Sequence, residues 1–222
     1  MNPLRRFFAS AGLRKSCRHL SVALTIAMAL FFCFMNEDAA NVEIPPQRAF
    51  LVLLVSQAVS SCLFGVPVVM AIAASPAVLK RWFSLQWFGW RALGRLFLQY
   101  LALVLGCAAL LTVFQPGQPQ EVVQILANFT TAQRVVAAFL LCGLAPFLEE
   151  CLFRGILLGC ARPVVALPLS AACFAFAHGL NGFTAPLFFF GWFLGLLALR
   201  TRSLIPGILL HAAFNSLSLL AA

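Results

Sequence analysis

Apolar residues in this chain run in long unbroken stretches, without the period-2 or one-face alternation of elements half-buried against water. Seven stretches stand out, at 20–35, 49–74, 96–114, 135–160, 164–180, 183–199 and 204–222. At a helical rise of 1.5 Å per residue, about 20 apolar residues cross a hydrocarbon core of about 30 Å. The pattern predicts an all-α fold, a polytopic bundle of about seven transmembrane helices. Prolines inside the runs, at Pro67, Pro146, Pro168, Pro186 and Pro206, predict kinks or shifted helix starts, because each removes a backbone donor.

The interruptions have their own chemistry. Residues 36–48 hold three of the six acidic side chains and the pair Pro45-Pro46, and are expected to form an exposed loop. Residues 80–95 interleave Lys80, Arg81, Arg91 and Arg95 with Trp82, Trp87 and Trp90. Cationic heads and indole rings both favour the headgroup layer, so this segment is expected to lie on the membrane surface. The segment 115–120, Gln-Pro-Gly-Gln-Pro-Gln, is the expected linker. It divides an amino-terminal three-span region, 1–134, from a carboxyl-terminal bundle, 135–222.

Composition agrees with a membrane class: the 222 residues are 63% hydrophobic and only 9% charged, which excludes an ordinary soluble domain. The net charge of +9 raises nucleic acid as a partner, but the basic residues sit between apolar runs rather than on one soluble face. No nucleic acid is expected; the bilayer is. Basic residues precede the first run and recur between runs two and three, four and five, and six and seven. The positive-inside rule then predicts an integral protein of the cell inner membrane with a cytoplasmic amino terminus and an outward carboxyl terminus. The basic head of residues 1–19 also suits a secretory signal, but Asn36-Glu37-Asp38 follows the apolar run directly and favours an uncleaved first span. The eight cysteines form no C-x-x-C pair and lie mostly in apolar runs, where they act as small hydrophobes rather than as disulfides or metal ligands.

Within the fourth run, Glu149, Glu150 and Arg154 put three ionisable groups into six positions. A charge near the bilayer centre costs about 2.5–3.5 kcal/mol on insertion scales, so such groups tend to mark a pathway or a reactive site. Residues four apart share a helical face, so Glu150 and Arg154 can pair while Glu149 points about 100° away, unpartnered. Pro146, with Gly143 and Gly155 nearby, can open this helix to water and make Glu149 a candidate general base.

Two further runs carry His178 and His211. Buried imidazoles need hydrogen-bond partners, and interhelical bonding is their simplest use in a membrane bundle. Phe174 lies one turn before His178, where its ring can fix the imidazole. His211 and Asn215 share a face and can together donate to one oxygen, as a developing oxyanion requires. Straight parallel spans, however, would put His211 about 10 Å and His178 about 20 Å from the cytoplasmic end, so convergence demands a tilt, a kink at Pro168 or a shifted helix boundary.

The ordered set Glu149-Glu150-x-x-x-Arg154, Phe174-x-x-x-His178 and His211-x-x-x-Asn215 resembles the CAAX protease and bacteriocin-processing family of intramembrane endopeptidases. The resemblance covers about 135–222. It implies that Glu149 and His178 position and activate water, that His211 and Asn215 stabilise the oxyanion, and that Glu150, Arg154 and Phe174 support them. It further implies a protein or peptide substrate in or at the membrane, prenylated or bacteriocin-like. Family members have been described both as glutamate-dependent and as metalloproteases, so the cofactor expectation is none or zinc. Two His and a carboxylate with an open position suit catalytic zinc, with Glu149, His178 and His211 as ligands. Yet His-Glu-x-x-His is absent, and a ligating Glu149 would leave Glu150 as base. Two rivals stand beside the protease: a proton-coupled transporter, for which no internal repeat is visible, and a non-catalytic immunity or scaffold membrane protein.

Overall fold

A computed structural model describes residues 11–39, 45–84, 90–114, 128–180 and 183–220. Among these the chain is all helical, in the order α1 (Ala11–Ala39), α2 (Pro46–Ala74), α3 (Ala77–Trp82), α4 (Trp90–Phe114), α5 (Thr131–Leu157), α6 (Pro163–Phe176), α7 (Thr184–Thr201) and α8 (Ile205–Leu220). Among the described residues each apolar run lies mainly on one of the longer helices. Among the described residues three stretches are long and apolar enough to cross a membrane by themselves: Arg48–Ala74, Thr131–Leu157 and Thr184–Thr201. The apolar stretches Arg18–Cys33, Pro163–Phe176 and Ile205–Leu217 are shorter. The segment 115–120, expected to be a linker, lies outside the described residues, as does Trp87.

The outside of the bundle is as apolar as its inside. Leu51, Val55, Val59, Val66 and Val69 on α2, Val135 and Phe139 on α5, and Leu209 on α8 are all exposed. Such a surface would be an aggregation hazard in water and is the ordinary surface of a protein in lipid. The chain is therefore an integral membrane helix bundle. Because lipid tails are as apolar as leucine, the helices are held by close packing and interhelical hydrogen bonds rather than by removal of apolar surface from water.

The interior follows that rule. On α1, Ser21, Thr25, Ala29 and Cys33 recur every fourth residue and are buried, a stripe of small side chains facing α2 and α6. Ser21 Oγ and Thr25 Oγ1 donate to the carbonyls of Arg18 and Ser21, so neither hydroxyl is left bare. Phe32 of α1 meets Phe64 of α2 edge to face at 5.4 Å. Between α6 and α7 small residues again allow close approach: a Cβ on Gly195 would lie 2.5 Å from Leu167 Cδ1.

Within the segment expected on the membrane surface, Trp82 turns inward. It is buried against Gly155 of α5, and its carbonyl accepts from Leu204 N–H at 2.7 Å and from Ser203 Oγ at 3.3 Å. These bonds tie the end of α3 to the start of α8. One core cluster joins Ala29, Phe64, Val68 and Trp82 to residues of α5, α6 and α7, so the helices before and after 115–127 share an interior.

Candidate active site

α5 holds the least regular backbone of the bundle. Its start is set by a capping box: Thr130 Oγ1 accepts from Gln133 N–H and Gln133 Oε1 accepts from Thr130 N–H. The helix is α over Thr131–Phe139, widens to π, with i→i+5 hydrogen bonds, over Leu140–Leu144, returns to α over Ala145–Glu149, and widens again over Glu150–Leu157. Segments of this kind are rare and occur frequently at functional sites. Pro146 accounts for the end of the first one. Ala145 N–H donates to Leu140 O, five residues back, and the next amide in that register belongs to residue 146, which has no hydrogen. In an unbroken α-ladder the deprived carbonyl would be Cys142; in the wider ladder it is Leu141.

Glu150 and Arg154 form the expected pair, and more. Both are fully buried, with Arg154 Nη1 2.8 Å from Glu150 Oε1. Arg154 Nη2 donates to Gly191 O on α7 at 3.0 Å, and its Cζ lies 4.4 Å from the centre of the Phe174 ring on α6. A planar fork that can pair, donate to a carbonyl and stack is a role for Arg and not for Lys. Glu150 Oε1 also lies 3.2 Å from His211 Nδ1 on α8. One buried ion pair thus links α5 to the three helices that follow it.

Glu149 faces another way. Its Oε2 stands 3.9 Å from His178 Nε2 and 3.8 Å from His211 Nε2. That oxygen is buried and receives no hydrogen bond from any protein group, a condition rare enough in native structures to call for a reason. Only 13% of the Glu149 side chain and 35% of that of His178 are exposed, against 3% for His211. The site is open on the Glu149–His178 side and dry behind His211.

The two histidines meet despite their unequal depths along straight spans. α6 is only 14 residues long, about 21 Å at helical rise, and stops at Phe176. His178 therefore rides on the turn beyond the helix, where its N–H donates to Ala175 O and Gly179 follows at φ 88°, a conformation suited to glycine. This shifted boundary is one of the three escapes that the sequence allowed. His178 Nδ1 lies 2.8 Å from Phe174 O. A carbonyl only accepts, so Nδ1 carries the hydrogen and the neutral ring offers its lone pair at Nε2. The Phe174 ring is buried between the imidazoles, 4.8 Å from His178 and 5.4 Å from His211.

Asn215 stands apart from this cluster. Its Nδ2 donates to Leu141 O at 2.8 Å, on α5 a little over two turns before Glu149. Three supporting groups escaped the reading of the sequence. Gly191 supplies the carbonyl for Arg154, and Phe190 packs its ring 5.4 Å from that of His211. Gly207 leaves room for Glu150, whose Oε2 would lie 3.0 Å from a Cβ there. Gly207 was detectable in principle: 207, 211 and 215 are successive positions on one helical face. Nothing in the Phe188-Phe189-Phe190 run marks the third ring.

Zinc has its natural donors here, two imidazole nitrogens and a carboxylate, with both Nδ1 atoms backed by oxygen as zinc-bound histidines usually are. The spacing is wrong. Ligands at 2.0–2.1 Å in a tetrahedral shell stand about 3.3 Å apart, whereas these stand 3.8 and 3.9 Å apart. Among the described residues no group of three His, Cys, Asp or Glu side chains is arranged to hold a metal ion. The residues as they stand do not fit one.

Comparison with known proteins bears on the helices that build this site. Residues 131–217, about two-fifths of the chain, match the family model described as type II CAAX prenyl endopeptidase Rce1-like. No curated protein and no solved structure gives a significant match. The matched span begins at the capping box of α5, ends near the close of α8, and contains every charged and imidazole group assembled above. Over residues 131–217 the chain is similar to the Rce1-like family of type II CAAX prenyl endopeptidases.

Proposed function

We propose that the protein is an intramembrane endopeptidase in which Glu149 activates water. The observation that carries this reading is the buried Glu149 Oε2, without a protein donor, opposite imidazole nitrogens from two other elements. A water there donates one hydrogen to Glu149 and the other to the lone pair of His178 Nε2, which aims its oxygen at a peptide carbonyl. As the C–O bond forms, Glu149 takes the proton; it then passes that proton to the amide nitrogen as the C–N bond breaks. His211 lies between two carboxylates, and with a hydrogen on each ring nitrogen it donates to Glu150 from Nδ1 and to the developing oxyanion from Nε2. Glu150, Arg154 and Phe174 hold these groups in place.

The substrate in this reading is a peptide in or at the membrane, prenylated or bacteriocin-like, reaching a cavity that opens toward the cytoplasm. The chain is oriented with its amino terminus cytoplasmic and its carboxyl terminus outside, in the inner membrane. The test compares peptide termini in membranes of cells carrying the protein or its Glu149→Gln variant. New termini that depend on Glu149 are expected; identical sets of termini would overturn the assignment.

A further inference from the structure

The contact that α8 makes with the widened part of α5 has a specific cause. Leu141 O has two possible helical donors: the amide four residues on and the amide five residues on. The first, Ala145 N–H, is already given to Leu140 O; the second, at Pro146, does not exist. An unmatched carbonyl in a bilayer costs several kcal/mol, so it recruits a donor from elsewhere. That donor is Asn215 Nδ2, at 2.8 Å. Asn215 lies one helical turn beyond His211 on the same face of α8, and the antiparallel course of the two helices puts His211 beside Glu149 and Glu150.

We propose that Asn215 is a positioning residue: its amide docks α8 on the Leu141 carbonyl that Pro146 strips of a donor, and so sets where His211 stands opposite Glu149. This rests on the hydrolytic reading above for its effect on rate, but not for the contact itself. It also gives Pro146 a function. The residue that ends the widened stretch leaves the acceptor by which α8 is held, so one proline serves both the shape of α5 and the register of α8. An oxyanion donor at 215 would act independently of Pro146; a docking residue cannot.

That difference is measurable. In a double-mutant cycle on hydrolysis, Asn215→Ala is expected to lower kcat about ten- to a hundredfold with little change in KM. In a Pro146→Ala background, where residue 146 can donate to Leu141 O, the same change should cost less than about threefold. Equal losses in both backgrounds overturn the proposal. A second measurement needs no activity and no Pro146 variant. Leu141-Cys142 is the sole Leu-Cys step in the chain, so labelling with carbonyl-13C leucine and 15N cysteine isolates one peptide carbonyl by nuclear magnetic resonance in lipid nanodiscs. Loss of its hydrogen bond in Asn215→Ala should move the Leu141 carbonyl signal upfield. An unmoved signal overturns the docking contact, whereas a moved signal in a protein that cleaves nothing would leave the contact standing and remove the protease reading.

Discussion

Glu149 and Glu150 are chemically alike and adjacent, yet their surroundings assign them opposite tasks. Glu150 is tied to Arg154 and His211; Glu149 Oε2 has two imidazoles nearby and no donor. Removing one member of a buried ion pair leaves the other uncompensated, at about 3–5 kcal/mol. Glu150→Gln is therefore expected to lower the thermal stability of the detergent-solubilised protein by that order. Glu149→Gln should leave stability unchanged or raise it slightly, because the new amide can donate to His178 Nε2, while hydrolysis falls by about 10²–10⁴. Unfolding curves and rates on the two variants check this crossed pattern. The pairing was legible in the sequence from the i, i+4 spacing alone. The role of Arg154 beyond it was not, since Gly191 is 37 residues away in sequence and nothing local to either residue records their meeting.

At the scale of elements, the site depends on how closely α6 and α7 approach. A Cβ on Gly191 would lie 3.0 Å from Phe174 Cδ1, 3.2 Å from Arg154 Nη2 and 3.3 Å from Ala171 Cα. The last of these is backbone and cannot turn aside, so the helices would have to part. Gly191→Ala is expected to cost about 1–3 kcal/mol through overpacking and to lower activity by moving the Phe174 ring off Arg154. Gly65 in α2 provides the contrast, with nothing within 4 Å of an added Cβ; Gly65→Ala should be neutral or stabilise by up to about 1 kcal/mol. Thermal unfolding of both proteins separates packing from helix propensity. The sequence led to helices at these positions and to irregularity at Pro146. It did not reveal that the irregularity takes the form of widened turns, because a proline kink and a π segment look identical until neighbouring carbonyls are placed.

For the molecule as a whole, the hydrolysis proposed through Glu149 uses no metal ion, and that is open to a direct test. Prolonged treatment with a strong chelator, followed by metal analysis, is expected to leave the rate unchanged; loss of activity restored by zinc would overturn the metal-free mechanism. Orientation is a separate matter of charge. Reporter fusions should find the two termini on opposite sides of the membrane, the amino terminus in the cytoplasm; both on one side would mean an even number of crossings.

Hydrophobic run length by itself determined that this chain is a helical membrane protein, since no other backbone arrangement of such runs satisfies its hydrogen bonds in lipid. Local spacing determined which carboxylate pairs with Arg154 and which is left over. Tertiary structure alone decided that α6 ends early enough to swing His178 onto Glu149, that Trp82 turns inward, and that Asn215 meets the backbone of α5. Each of these rests on contacts between residues far apart in the chain. Periodicity reports only which face of a helix a side chain occupies, not what stands opposite that face.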